Sequence, residues 1–250
     1  MTENISNIEK KTLSHDEMTC HDGSFSCDGV ALTPKIIGIT GGIGSGKSVV
    51  SRILRLKGFR VYDCDSEARR LMETHPDVIS RIIGILGEEA YKASTPSTAE
   101  RNSTKMELDR AYVASRIFSD DEMRLKVNGV VHKAVADDFL DFVRRWHAKG
   151  NRVFCETAIL ATSHMDEICD EIWLVSASEE ERIARVMARN GISAEEVKLR
   201  MESQTLEFSL LPKGKICEIY NGDGDMLLPQ IETHIQDTKA RVRIGIEERI

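Results

Sequence analysis

Long apolar runs, an excess of basic charge and a cysteine framework are all missing from this 250-residue sequence. Its apolar stretches last only a few residues, so a membrane-spanning helix of about 20 residues has nowhere to sit. Lys and Arg number 34 against 41 Asp and Glu, a formal net charge of −7. Proteins that bind nucleic acid generally contact phosphates with surplus cations, so that class is excluded and only a local basic pocket stays open. Residues 1–34 are polar and lack an apolar h-region, which excludes a secretory signal and predicts a flexible N-terminal extension. The expected location is a reducing cytoplasm, where the six cysteines are thiols. Cys64, Cys155 and Cys217 fall in or beside predicted strands, as small buried hydrophobes do. Cys20, His21 and Cys27 have no second ligand pair at zinc spacing, so they are read as part of the extension. No internal repeat and no heptad run is present.

What remains is an ordinary globular composition, 41% hydrophobic and 30% charged, long enough for one domain with appended lobes. Order is expected from residue 35 to 250. Ile36–Thr40 is a short apolar run ending in a glycine-rich turn, the pattern of a buried parallel strand. Val49, Val50, Ile53, Leu54 and Leu56 follow at helical spacing and stop at Gly58. Phe59–Tyr62 is predicted as the second strand, and Asp65 or Ser66 as the N-cap of the next helix. Residues 66–148 are predicted to be mostly helical, broken at Pro76 and by a polar loop around 92–105. Strand pattern returns after Gly150-Asn151 at Val153–Cys155 and again at Ile172–Val175. Ser178 with Glu181 and Ser193 with Glu196 are capping boxes opening two more helices, the first ending at Asn190-Gly191. Ile216–Tyr220 is the last strand candidate, and helix is expected from about 226. Strands alternating with helices predict an α/β fold with a parallel sheet flanked by helices.

The chemistry is carried by Gly41-Gly42-Ile43-Gly44-Ser45-Gly46-Lys47-Ser48, a full match to G-x-x-x-x-G-K-[ST] between a strand and a helix. Glycines let backbone N–H groups close around phosphates, and the helix N-terminus adds its positive end. Lys47 neutralises charge on the transferring phosphoryl, and the Ser48 hydroxyl is placed to coordinate Mg²⁺. The motif predicts nucleoside triphosphate binding without separating kinase from GTPase or motor ATPase. Asp63 and Asp65 lie at the end of the second strand, where open α/β sheets gather ligands. Asp65 is therefore either the carboxylate that orients or deprotonates an acceptor hydroxyl, or a helix cap. Arg182, Arg185 and Arg189 share one helix face, which suits either a lid closing over ATP or a solvated surface.

At this point the sequence resembles the dephospho-CoA kinase family, over roughly residues 36–245. The similar segments are Ile37–Ser48, Val61–Asp65 with Ala68-Arg69, Leu108-Asp109-Arg110, Arg116-Ile117-Phe118, His132 and Ala184–Arg189, with Gln204 and Asn221-Gly222 beyond. The resemblance implies a P-loop NTPase fold with a helical acceptor-binding lobe at 66–148 and a helical lid at 178–205. It implies transfer of the γ-phosphoryl of ATP to the 3′-hydroxyl of dephospho-CoA. In that reading Asp65 is the catalytic carboxylate, assisted by Lys47 and Arg189. Gly42, Ile43, Gly44, Ser45, Gly46, Lys47, Ser48, Val49 and Arg185 hold ATP, Ser48 holds Mg²⁺, and Asp63, Arg69, Arg110 and His132 hold the acceptor.

The sequence departs from the family pattern at Lys133, at Cys155-Glu156-Thr157-Ala158, at Tyr220 and in the polar loop around 92–105. Glu156 reads equally as a water-mediated Mg²⁺ ligand or a solvated strand-end charge. Two other functions compete. A kinase of the same fold acting on a nucleotide or nucleoside fits the phosphate loop equally well. A nucleotide-dependent switch would need an N-K-x-D motif for guanine, which is absent. The expected partner is a small molecule rather than nucleic acid or membrane, with the oligomeric state left open.

Overall fold

The computed structural model describes residues 25–27, 30–32, 34–93, 106–118, 120–145 and 152–237. These belong to two units, a short N-terminal one and the body from Pro34 onward. In the first, β1 (Phe25–Cys27) and β2 (Val30–Leu32) pair antiparallel, with Phe25 opposite Leu32. Strands here depart from the expected start of order at Lys35. The intervening sequence, Asp28-Gly29, is a dipeptide that favours two-residue hairpins, a signal outweighed by the polar composition around it. Cys20, His21, the polar stretch 94–105 and Gly150-Asn151 lie outside the described residues.

The body is organised by β3 (Lys35–Thr40), the centre of a wholly parallel five-stranded sheet. The order is β4 (Val61–Asp63), β7 (Arg152–Glu156), β3, β8 (Glu171–Ser176) and β9 (Ile216–Tyr220). Parallel strands require crossovers, and those crossovers bury both faces of the sheet. Side chains alternate accordingly along β7. Phe154 packs with Ile37, Ile39 and Trp173 against α1 (Lys47–Leu56) and α10 (Leu227–Asp237), which supply Val50, Leu54 and Ile231. Val153 and Cys155 point the other way, onto Val135, Phe139 and Val143 of α5 (Asp121–Arg145) and Met165 of α6 (Met165–Ile168). Each such apolar side chain, fully buried, contributes about 1.5–3 kcal/mol. Gly38 on β3 is required by space, since a Cβ there would sit 2.9 Å from both the Cys169 sulfur and Leu160 Cδ2.

The helical lobe has a core of its own. α2 (Cys64–Thr74), α3 (Pro76–Leu86) and α4 (Arg110–Phe118) join α5, and Val78, Ile82, Leu86, Val113 and Val127 are buried among them. Pro76 sits at the first helical position of α3, where its missing N–H costs nothing. One addition to the expected helices is an antiparallel pair, β5 (Tyr91–Ala93) with β6 (Met106–Leu108), at either end of the polar stretch. After β8 come α7 (Glu179–Asn190), α8 (Ala194–Glu202) and α9 (Thr205–Leu210). Both expected capping boxes are formed, and Gly191 ends α7 in the left-handed conformation with φ 66°.

Two boundaries differ from expectation, and both bear on the site. The second strand is Val61–Asp63, with Phe59 serving as a core anchor whose ring meets Phe154 edge-on at 5.5 Å. The strand therefore runs one residue further, bringing Asp63 level with Glu156. Helix α2 is capped by Asp63, whose carboxylate accepts from the Ser66 N–H at 3.1 Å and its hydroxyl at 2.8 Å. Neither Asp65 nor Ser66 is the cap. No helix among the described residues is long and apolar enough to cross a membrane.

Candidate active site

Two secondary-structure ends meet at the carboxyl edge of the sheet. β3 stops at Thr40, α1 begins at Lys47, and the loop between them is the glycine-rich motif. Gly44 and Gly46 have φ of 79° and 99°, conformations that a side chain would resist. Helix α1 starts immediately, the Gly46 carbonyl accepting from the Val49 N–H at 2.9 Å, so the positive helix end underlies the loop. The Lys47 ammonium donates to the Gly41 carbonyl at 2.7 Å, which folds its side chain along the loop.

Distant side chains pin this loop. The Asn221 amide, just beyond β9, donates to the Ser45 carbonyl at 2.8 Å. Arg182 on α7 donates through Nε to the Ile43 carbonyl at 3.0 Å. Gln204 accepts from the Ile43 N–H at 2.8 Å through its side-chain oxygen. The fit is close enough that a Cβ on Gly46 would collide with the Asn221 amide, and one on Gly42 with the Arg182 guanidinium.

Carboxylates at the start of α2 and the end of β7 lie near enough to Lys47 to influence it. Burial pushes the Asp65 carboxyl above the usual carboxylate range, Asp63 pushes it further, and Lys47 and Arg69 pull it back. The Glu156 carboxyl is also raised, by burial first and by Asp63, against the pull of Lys47 and Arg55. Burial lowers the Lys47 ammonium, while Glu156 and Asp65 offset part of that and Arg182 and Arg189 add to it. Lys47 of the phosphate loop is thus coupled to both Asp65 and Glu156, and each of these carboxylates also feels Asp63. Such an arrangement can neutralise phosphate charge on one side and accept a proton on the other.

The remaining expected site residues are distributed unevenly. Ser48 and Val49 are exposed in the first turn of α1. Arg69 lies on α2 near enough to influence Asp65. Arg110 pairs with Glu73 at 3.1 Å, eight residues and about 12 Å of helix beyond Asp65. His132 is half-buried on α5 and titrates below the usual histidine range, because of burial and then the charge of His164. Arg185 faces Glu181 and Asp223 at 3.8 and 3.7 Å, and Arg189 donates to Asn190 at 2.9 Å. Among the described residues no group of three His, Cys, Asp or Glu side chains could hold a metal ion.

A sequence profile described as "Dephospho-CoA kinase" matches residues 35–211. The chain belongs to the dephospho-CoA kinase family. A curated relative of that name from Porphyromonas gingivalis is 38% identical over 207 residues, covering 82% of this chain and 95% of its own. One from Staphylococcus saprophyticus is 34% identical, covering 82% of this chain and 98% of its own. A crystal structure from Thermus thermophilus superposes with a TM-score of 0.62 at 32% identity, covering 82% of this chain and 96% of that one. The dephospho-CoA kinase from Campylobacter jejuni, 17% identical, shares the fold at a TM-score of 0.53, covering 81% and 96% of the two chains. The fold is the α/β P-loop NTPase fold with a parallel central sheet, and the chain is a kinase.

Against that background, the side chains that pin the phosphate loop were the ones least visible as site residues. Arg182 shares the helix face of Arg185 and Arg189, yet it is the arginine bonded to the loop. Spacing groups the three and cannot rank them. Gln204 and Asn221 lie in segments that resemble the family, with no spacing that ties them to a loop 161 and 176 residues away.

Proposed function

We propose that this kinase transfers the γ-phosphoryl group of Mg-ATP to the 3′-hydroxyl of dephospho-CoA, releasing CoA and ADP as the last step of coenzyme A biosynthesis. One observation carries the reading to the level of residues: Lys47 of the phosphate loop is coupled to both Asp65 and Glu156. In a chain of this family, that coupling joins a phosphate cradle to a carboxylate free of capping duty.

The loop N–H groups, the α1 terminus and Lys47 hold the phosphates and neutralise charge as it moves to the leaving oxygen. Asp65 accepts the proton of the acceptor hydroxyl as that oxygen bonds phosphorus and the bond from phosphorus to the ADP oxygen breaks. Its raised pKa makes it a stronger base than an ordinary aspartate. Mg²⁺ would neutralise the β- and γ-phosphates, held by Ser48 and, through water, by Asp65 and Glu156. Arg182 and Arg189 close over the nucleotide from α7, with Arg185 beside them. On the acceptor side the reading assigns Asp63, Arg69, Arg110 and His132.

A coupled ADP-release assay across acceptors tests this directly. Dephospho-CoA should be phosphorylated far faster than free nucleosides or nucleotides; a nucleotide preferred over dephospho-CoA would replace the reading with that of a nucleotide kinase. The reading also places the reaction in a reducing cytoplasm, in keeping with free thiols at Cys64, Cys155, Cys169 and Cys217. Thiol labelling of denatured protein from freshly lysed cells should find all six cysteines reduced.

A further inference from the structure

Glu207 is a buried acid that the mechanism above does not use. It lies on α9, is only 3% exposed, and faces the loop between β7 and α6. Its carboxyl accepts three hydrogen bonds from that loop: the Ala161 N–H at 2.5 Å, the Thr162 N–H at 2.8 Å and the Thr162 hydroxyl at 2.8 Å. A single side chain therefore fixes two successive peptides and a side chain of one loop. Burying an acid is costly unless its oxygens are satisfied, so this group holds its loop firmly.

The loop so held follows the carboxyl end of β7, directly after Glu156, where ligands gather in an open α/β sheet. Its start is tied to the sheet by the Thr157 N–H, which donates to the Ile39 carbonyl at 3.1 Å. Its far end carries His164 at φ 59°, the one non-glycine residue with positive φ among the described residues. Leu160 and Ala161 of the loop are buried in one cluster with Val135 and Phe139 of α5, so the loop packs against the helical lobe. Three residues before Glu207, Gln204 grips Ile43 of the phosphate loop. One short segment of chain thus holds two loops, the phosphate loop through Gln204 and the β7–α6 loop through Glu207.

We infer that Glu207 is a positioning residue for the acceptor, setting the β7–α6 loop against the helical lobe while Gln204 sets the phosphate loop. The inference rests on the dephospho-CoA reading. Glu207→Gln keeps the side chain's size but brings amide hydrogens against the loop's N–H donors, so at most one oxygen still accepts. Steady-state kinetics of the full chain are measured below the unfolding transition of every variant, varying dephospho-CoA and ATP in turn. The acceptor KM of Glu207→Gln should rise about tenfold while the ATP KM stays within about twofold. Gln204→Ala should do the reverse, raising the ATP KM and leaving the acceptor KM nearly unchanged. Thr162→Val, which removes only the hydroxyl donor, should raise the acceptor KM about threefold. Equal rises in both constants for Glu207→Gln, or a lower melting temperature with neither constant changed, overturns the inference. If Glu207→Gln does not fold, an unchanged acceptor KM in Thr162→Val overturns it. Wild-type protein that leaves dephospho-CoA unphosphorylated overturns the functional reading, and the inference with it.

Discussion

The phosphate loop and the carboxylate wall near its Lys47 are held by different kinds of interaction. The loop is a backbone device: glycines at 44 and 46 in left-handed conformations, and peptide groups gripped by Asn221, Arg182 and Gln204. The carboxylate wall is a side-chain device, in which Asp63, Asp65 and Glu156 are brought level by the register of β4 with β7 and by the first turn of α2. A backbone device tolerates little change of residue type, because its geometry depends on missing side chains. A side-chain device depends on charge, so its function should change with isosteric substitutions and with pH. Substitution separates the two walls accordingly.

The largest effect is expected on the carboxylate wall. Asp65→Asn should cut phosphoryl transfer to dephospho-CoA by about 10²–10⁴, the range of a positioned acid–base group. The ATP dissociation constant should barely change. Because Asp63 caps α2, the loss cannot be ascribed to a broken cap; the first-turn charge is worth only about 0.3–1 kcal/mol to the helix. Single-turnover measurements alongside ATP titration would check it, and retained turnover would remove Asp65 from the mechanism.

This asymmetry also explains what the sequence alone could disclose. The phosphate loop was legible because its chemistry demands glycines at fixed spacing between a strand and a helix, a local pattern. The strands were legible for a similar reason, with Ile216–Tyr220 matching to the residue. The capping assignment failed because it depended on where β4 ended. That boundary is set by pairing with Glu156, 93 residues away. Glu207 and Asn221 act through contacts made only after the chain has folded, and no periodicity in their own segments marks them. The β5–β6 pair was obscured by the polar stretch that separates its strands in the chain.

On the backbone side, Lys47→Ala should lower turnover about a hundredfold or more, since charge-stabilising contacts of this kind are typically worth about 3 kcal/mol. The loop itself should survive, because Asn221, Arg182 and Gln204 hold its peptides independently of Lys47. An unchanged melting temperature with collapsed turnover is the expected pair of results. Near-normal turnover would sink the phosphate-loop assignment.

The lid offers an intermediate case. Arg189 is exposed and bonded only to its neighbour Asn190 among the hydrogen bonds described, yet its charge reaches Lys47. Arg189→Lys preserves that charge and loses the planar fork, so turnover should fall about tenfold with little change in thermal stability. A stability loss with full turnover would make α7 a structural helix rather than a lid.

The smallest effect is also the most specific to the carboxylate wall. Asp63→Asn retains the α2 cap, because Asn caps about as well as Asp. It removes the negative charge that, after burial, raises the Asp65 carboxyl. A base works only when ionised, so the acid limb of the rate profile follows the Asp65 pKa. Removing a neighbouring negative charge makes ionisation easier and lowers that pKa. The acid limb of kcat/KM for dephospho-CoA should therefore move to lower pH. Burial, the larger cause, remains, opposed by Lys47 and Arg69. A limb that does not move would mean that Asp65 is not the group titrating in the profile. A limb that moves to higher pH would contradict the arrangement of charges itself.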